Sequence, residues 1–124
     1  CHAGWRGTYS EILKEMIAKF KGDKSDLRIV IGPSTSNSYE INEDIYNKFT
    51  TLPIDAHLYT EQRGYDKYGI DLKLANELLA IHYGISPKHI VKTSHCTASE
   101  TDLFFSYRVE KGKTGRMLAF IGRK

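Results

Sequence analysis

Near the start of the chain, apolar residues recur every three or four positions, which is the pattern of an amphipathic helix. Thr8 and Glu11 stand three residues apart, as in a capping box, where each side chain bonds a free backbone amide at the helix start. Gly22 is predicted to end this helix. Its apolar face comprises Ile12, Leu13, Met16, Ile17 and Phe20.

Two further helices are predicted, each preceded by a residue whose short polar side chain can cap it. Asn42 precedes a run with apolar residues at Ile45, Tyr46 and Phe49. Asp71 precedes the longest periodic run, and Gly84 follows it in the position typical of a terminating glycine. The broad face of this third helix comprises Leu72, Ala75, Leu78, Leu79 and His82.

Short apolar runs between turn residues predict strands. They cover residues 27–31, 39–41, 90–93, 103–109 and 116–121, and the last two are joined by the turn EKGKTG as a final hairpin. Residues 34–38 are predicted to be a polar loop, and residues 50–69 a loop with at most one strand, near 57–59. Strands and helices in mixed order predict an α+β fold with a mixed sheet and flanking helices.

The composition is that of one globular domain and excludes several classes of protein. The chain has 124 residues, of which 40% are hydrophobic and 27% charged. The net charge of +3 is dispersed in clusters of mixed sign, so we expect no nucleic acid partner. Since the chain carries neither a run of roughly 18 apolar residues nor a secretory signal, we expect a cytoplasmic protein without a membrane partner.

The two cysteines, Cys1 and Cys96, lie far apart in sequence, so free thiols are expected rather than a disulfide. His95 and Cys96 follow a predicted strand, where a loop can present them to a cleft. Because adjacent side chains on an extended chain point to opposite faces, at most one of the two is expected to face a site. A small buried apolar residue is the ordinary role of a free cysteine.

The opening segment HAGWRGT places candidate chemistry directly before the first predicted helix. Backbone amides at a helix start bind anions, and Arg6 can add a bidentate contact to phosphate or carboxylate. A tight turn with Trp5 in the core and Arg6 in solvent explains the same residues equally well. His2 is open to three interpretations, which are a metal ligand, a general base and a hydrogen-bonded core residue.

Several self-sufficient motifs are absent from the sequence. It contains no CxxC, HExxH or G-x-S-x-G motif, so these residues alone predict neither a complete zinc site nor a serine triad. The aromatic run FFSYR at residues 104–108 is interpreted as a core strand rather than a platform for stacking bases.

Six segments in collinear order cover nearly the whole chain, namely HAGWRGT, GPSTSNSYEI, DLKLAN, HCT, DLFFSYR and TGRMLAFI. Together they resemble the bacterial laccase-domain family, also described as the YfiH/YlmD type or as polyphenol-oxidase-like purine nucleoside phosphorylases. The resemblance implies an α+β fold related to cysteine hydrolases of the cytotoxic-necrotizing-factor type. It also implies that residues 1–124 are the C-terminal portion of one catalytic domain, incomplete at its N-terminus.

The resemblance further implies an activity and its participants. Adenosine, inosine and methylthioadenosine would be cleaved by phosphate to the base and ribose 1-phosphate in a metal-dependent reaction, with adenosine deaminase activity besides. The metal would be zinc, or copper, and of the family's three ligands only His2 maps onto this chain. The implied partners are a purine nucleoside, phosphate and the missing N-terminal half of the same protein, so the chain alone is expected to be inactive.

The residues expected to act in that reaction are few. His2 and Arg6 are the expected catalytic residues, and Arg6, Ser34 and Arg108 are the expected substrate-binding residues. Two alternatives stay open, which are a folded noncatalytic fragment lacking most of the metal site and a Cys/His hydrolase that edits peptidoglycan precursors. Cys96 and Thr97 match a family motif without an assigned step.

Overall fold

Helices and strands follow one another in mixed order along residues 1–36 and 39–122, the ranges that the computed structural model describes. The helices there are α1 (Trp5–Tyr9), α2 (Ile12–Ala18), α3 (Glu43–Phe49) and α4 (Leu72–His82). The strands are β1 (Ile29–Ile31), β2 (Glu40–Ile41), β3 (Thr60–Gly64), β4 (Lys67–Ile70) and β5 (Ile90–Lys92). Short 3-10 turns cover Lys24–Asp26, Ala56–Leu58 and Pro87–His89. In the described ranges, no helix is long and apolar enough to cross a membrane.

The strands form two small sheets. β1 and β5 pair in parallel, with Ile29 opposite Ile90. β2, β4 and β3 form an antiparallel sheet in that order. Parallel and antiparallel pairing are both present together with flanking helices, which confirms the predicted α+β class.

The core is built around α4, whose predicted start and end are confirmed. Asp71 caps the helix, since its Oδ1 accepts a hydrogen bond from the Leu74 amide at 3.0 Å. Gly84 adopts φ +95° just beyond the end, a conformation that residues with a Cβ rarely adopt. The main cluster of buried apolar side chains comprises Ile41, Phe49, Leu52, Ala56, Tyr59, Ile70, Leu72, Ala75 and Leu79.

The predicted cap of α3 is also confirmed. Asn42 Oδ1 accepts a hydrogen bond from the Ile45 amide at 3.0 Å. α3 ends with Phe49, which is fully buried in the core. The hydroxyl of Tyr59 donates to the Phe49 carbonyl at 3.3 Å and joins the end of α3 to the segment before β3.

The predicted capping box at the first helix is wrong. Thr8 lies inside α1 and is fully buried, while Glu11 adopts φ 54° and separates α1 from α2. The Glu11 carboxylate accepts a hydrogen bond from the Tyr83 hydroxyl, a distant contact that helical periodicity does not contain. α2 ends at Ala18 rather than at Gly22.

The region 50–69 contains a hairpin that the sequence pattern did not predict. The expected strand near 57–59 is wrong, since Ala56–Leu58 is a 3-10 turn. β3 and β4 follow it, and Asp66 adopts φ 54° in the turn between them. Four of the five β3 residues are exposed, so this edge strand lacks the apolar alternation from which a strand is predicted.

The strands predicted at 103–109 and 116–121 are wrong, because both segments consist of turns and irregular backbone. A strand needs a neighbouring strand to pair its backbone hydrogen bonds, and no described strand pairs with these segments. Their apolar side chains are largely exposed, with Leu118 at 84%, Phe120 at 89% and Ile121 at 95%. Of the loop predicted over 34–38, residues 37 and 38 lie outside the described residues.

Candidate functional site

An open concavity joins the opening segment to two tyrosines from distant parts of the chain. We call it the His2 concavity, and its lining residues are His2, Gly4, Trp5, Arg6, Gly7, Tyr39 and Tyr107. The structure thus places His2 and Arg6, the two expected catalytic residues, at one surface.

Two glycines allow the close packing around His2. A Cβ built at Gly4 would lie 2.8 Å from His2 Nε2, and one built at Gly7 would lie 3.0 Å from the His2 carbonyl oxygen. The imidazole therefore folds back over the backbone at Gly4. His2 is exposed, so its ring is accessible to a ligand in the concavity.

A buried polar chain fixes the backbone next to His2. The Thr8 hydroxyl donates to the Ala3 carbonyl at 3.1 Å and accepts from Asn76 Nδ2 at 2.9 Å. Asn76 Nδ2 also donates to the Leu72 carbonyl at 2.8 Å within α4. Through these bonds, the central helix of the core holds the segment that carries His2.

Each aromatic ring of the concavity has a guanidinium group within the range of a cation–π interaction. The distances from Cζ to the ring centroid are 5.0 Å for Arg6 over Trp5, 4.2 Å for Arg108 over Tyr39 and 5.0 Å for Arg116 over Tyr107. The site therefore combines flat apolar surfaces with positive charge.

Arg6 is the cationic side chain among the lining residues. α1 has only five residues, so its aligned peptide dipoles are few and the helix start alone offers little to an anion. The exposed guanidinium of Arg6 therefore carries the permanent positive charge of the lining, in a form that can bond an anion through two N–H groups.

The other two expected substrate-binding residues lie outside the lining. Arg108 stacks on Tyr39 and donates to the Glu40 carbonyl at 3.4 Å, so it lies beside a lining residue without lining the concavity itself. Ser34 lies beyond the end of β1, where it forms a parallel bridge with Cys96. Its hydroxyl donates to the Thr35 carbonyl at 3.5 Å.

Cys96 occupies a polar loop where the chains leaving β1 and β5 meet. Partial burial raises the pKa of its thiol, but hydrogen bonds from Ser99, Ser36 and Ala98 together outweigh this and lower the pKa to about 6. The Ser36 amide donates to the sulfur at 3.4 Å. Cys1 and Cys96 are both free thiols.

Two further side chains organise this loop. Glu100 bridges it, since its carboxylate lies 3.0 Å from His95 Nδ1 and accepts from the Cys96 amide at 2.7 Å. Lys73, which is buried on α4, donates to the Thr93 carbonyl at 3.1 Å and to the His95 carbonyl at 2.8 Å. Lys73 was not predicted to have a role, because an isolated lysine on a helix is usually exposed to solvent.

A complete metal site does not fit the residues present. Within 1–36 and 39–122, no three His, Cys, Asp or Glu side chains lie close enough together to hold a metal ion. A zinc site needs three or four protein ligands, and His2 can supply one of them.

Tyr39 and Tyr107 are the lining residues that the sequence did not indicate. The run FFSYR was expected to be a core strand, whereas Tyr107 is 65% exposed and borders the concavity. A signal was available, because an aromatic residue directly followed by arginine occurs both at Trp5-Arg6 and at Tyr107-Arg108.

Comparison with known proteins gives matches over the whole chain. The family model described as multi-copper polyphenol oxidoreductase laccase matches residues 1–124. A purine nucleoside phosphorylase from Staphylococcus epidermidis is 64% identical over 123 residues, which are 99% of this chain and 47% of the relative. A Staphylococcus aureus protein named purine nucleoside phosphorylase YlmD is 59% identical with the same coverage. The chain thus spans about half the length of the curated relatives it matches.

Solved structures agree with these matches. YlmD from Geobacillus stearothermophilus superposes with a TM-score of 0.92 at 37% identity, over 100% of this chain and 48% of that one. The Bacillus licheniformis protein YfiH superposes with a TM-score of 0.88 at 33% identity, over 93% of this chain and 45% of that one. The fold is therefore of the YfiH/YlmD type, and the chain belongs to the multi-copper polyphenol oxidoreductase laccase family.

Proposed function

We propose that this chain forms part of a purine nucleoside phosphorylase that converts adenosine, inosine or methylthioadenosine to the free base and ribose 1-phosphate. The observation that carries the proposal is the His2 concavity, where Arg6, an accessible imidazole and three aromatic rings meet. The names of the relatives in Staphylococcus epidermidis and Staphylococcus aureus support the same reaction.

The reaction sets two demands that residues of this chain can meet. A phosphate oxygen attacks C1′ of the ribose, and the C1′–N9 bond breaks with its electron pair passing to the purine. Arg6 binds the phosphate through its guanidinium fork. The proposed role of His2, where its ring nitrogen does not bind a metal, is to deliver a proton to a ring nitrogen of the departing base as a general acid.

Metal dependence and adenosine deamination rest on the family resemblance alone. Since the described residues supply His2 as a single ligand, further ligands would have to come from outside this chain. Deamination is a separate prediction, checked by inosine formation from adenosine in the absence of phosphate. The steps of phosphorolysis proposed for His2 and Arg6 do not depend on deamination.

A cysteine hydrolase is the second candidate, because the Cys96 sulfur accepts a hydrogen bond from the Ser36 amide at 3.4 Å, and such bonds lower the pKa of its thiol to about 6, which favours the reactive thiolate. Such a reaction, on a peptidoglycan precursor, would fit the relation to cysteine hydrolases that the resemblance implies. Cys96→Ser distinguishes the two reactions, since it should abolish thiol-dependent hydrolysis and leave phosphorolysis nearly unchanged.

The test of phosphorolysis uses the complete protein with inosine and varied phosphate. Arg6→Gln is expected to raise the KM for phosphate at least tenfold, with a smaller change in the KM for inosine, because the charged hydrogen bonds to phosphate are lost. Arg6→Lys retains the charge without the guanidinium fork, so its KM for phosphate should lie between those of wild type and Arg6→Gln.

Arg28→Gln is the matched control, since Arg28 is exposed and bonds Ser25 and His89 away from the concavity. It should leave both KM values unchanged. Equal phosphate kinetics in wild type, Arg6→Gln and Arg28→Gln would refute the role of Arg6. A noncatalytic role for the family fold would be indicated if the complete protein formed no ribose 1-phosphate from any purine nucleoside.

A further inference from the structure

We propose that Tyr39 and Tyr107 are the walls that hold the purine ring, and that Arg108 is a positioning residue for Tyr39. The choice of a purine as ligand rests on the proposed function, whereas the aromatic walls are features of this chain.

Tyr39 is held in place from its backbone and from one side of its ring. Its amide donates to the Ser36 carbonyl, and its carbonyl accepts from the amide of Ile70, the last residue of β4, both at 2.9 Å. The Arg108 guanidinium stacks 4.2 Å from the ring centroid and is itself bonded to the Glu40 carbonyl. The ring is therefore fixed before any ligand arrives.

Tyr107 is held by the turn that follows it. The Gly112 amide donates to the Tyr107 carbonyl at 2.8 Å, and Gly112 has φ +79°. A Cβ at Gly112 would lie 3.2 Å from Cζ of the tyrosine ring, so the turn packs directly against that ring. Tyr107 nonetheless stays 65% exposed, which leaves ring surface free at the concavity.

Other tyrosines of the chain have evident structural partners. Tyr59 is buried and bonds the Phe49 carbonyl, and Tyr46 stacks on Tyr68 with centroids 4.1 Å apart and planes 5° from parallel. Tyr39 and Trp5 also pack against the main core cluster, but together with Tyr107 they line the open concavity. An aromatic surface of this kind suits a flat ligand.

A purine matches this surface better than a one-ring base does. Stacking on an aromatic side chain contributes through the shared flat area, and the bicyclic purine offers more area than a pyrimidine. The inferred ligand class is therefore a purine base or its nucleoside.

The test measures binding without turnover, by equilibrium dialysis of the complete protein with radiolabelled adenine and no phosphate. Tyr39→Ala and Tyr107→Ala are each expected to raise the Kd about 5- to 100-fold, the loss typical of one stacking contact. Tyr39→Phe and Tyr107→Phe keep the ring and should stay within about twofold of wild type. Uracil should bind wild type more weakly than adenine does.

Tyr65→Ala is the matched control, because Tyr65 is 98% exposed in the β3–β4 turn and does not line the concavity. Its Kd for adenine should equal that of wild type. Because Tyr107 is itself mostly exposed, Tyr107→Ala is expected to fold, which far-ultraviolet circular dichroism checks.

The positioning role of Arg108 is tested by the kinetics of inosine cleavage. Arg108→Gln should raise the KM for inosine and the Kd for adenine about threefold to tenfold, with the KM for phosphate and kcat unchanged. Arg108→Lys should restore part of the loss. A threefold to tenfold fall of kcat in Arg108→Gln, with no change in the KM for inosine or for phosphate, would overturn the positioning role.

The outcomes separate this inference from the proposed function. Weaker adenine binding by the alanine variants in a protein that forms no ribose 1-phosphate would uphold the aromatic walls and refute phosphorolysis. Phosphorolysis by a protein whose alanine variants bind adenine like wild type would do the reverse. The inference is also overturned if wild type fails to bind adenine at millimolar concentration, or binds uracil equally well.

Discussion

The buried hydroxyl of Thr8 is predicted to be the strongest polar link between the opening segment and the core. Thr8→Val replaces this hydroxyl by a methyl group of nearly the same volume, so packing is preserved and hydrogen bonding is lost. Asn76 Nδ2 then lacks one of its two acceptors, and the Ala3 carbonyl lacks its donor.

The expected loss follows from the burial of these two partners. A buried polar group left without a partner costs about 1–3 kcal/mol. The Asn76 amide is buried and bears that cost, whereas the half-buried Ala3 carbonyl can still reach water. We therefore expect Thr8→Val to lower the free energy of unfolding by about 1–3 kcal/mol.

The assay is urea unfolding followed by circular dichroism. Thr50→Val is the matched control, because the exposed Thr50 hydroxyl donates to the Asn47 carbonyl in a similar bond, at 2.6 Å, and solvent can replace it there. The control should change the free energy by less than about 0.5 kcal/mol. In the double variant Thr8→Val/Asn76→Leu, the losses should be less than additive, since both partners are replaced. Equal effects of Thr8→Val and Thr50→Val, or full additivity, would refute the reasoning.

Three further predictions concern single side chains. Asp71→Ala removes the cap of α4 and should lower the free energy of unfolding in urea by about 1 kcal/mol, whereas Asp71→Asn should retain most of the stability that the cap contributes. An equal loss of stability in both variants would contradict capping. In a Cys1→Ser background, the rate at which iodoacetamide alkylates Cys96 should rise with pH and reach half its maximum near pH 6, because only the thiolate reacts and the pKa of Cys96 is lowered to about 6. A midpoint near the ordinary thiol pKa of about 8.5 would contradict this prediction. Phe49→Ala should cost about 3–5 kcal/mol and Phe49→Leu clearly less, as measured by the same unfolding curves, and equal costs would argue against a fully packed ring.

Elements whose determinants are local were predictable from the sequence. The caps of α3 and α4 depend on side chains that bond backbone amides three residues later, so Asn42 and Asp71 indicated both starts. β1 and β5 were predicted as apolar runs because their residues are largely aliphatic, and only their exact ends differ.

Features that depend on distant contacts were not predictable in this way. The break between α1 and α2 is accompanied by a bond between Glu11 and Tyr83, two residues that no local pattern connects. The edge strand β3 carries exposed polar residues and so gives no apolar signal. The apolar run at 116–121 gives a strong signal, but it has no strand partner in the described chain.

The candidate site shows the same division. HAGWRGT indicated His2 and Arg6 because the segment is contiguous, and both line the concavity. Tyr39 and Tyr107 reach it only through folding, since one precedes β2 and the other lies in the last turns of the chain. Ser34 matched a family segment, yet it lies beside Cys96 rather than in the lining.

The most direct test of the account follows the ribose released from inosine by the complete protein. Phosphate should be required for turnover, and every equivalent of hypoxanthine should be matched by one of ribose 1-phosphate, which phosphorus NMR detects. Release of hypoxanthine together with free ribose, at a rate independent of phosphate, would contradict phosphorolysis at the His2 concavity.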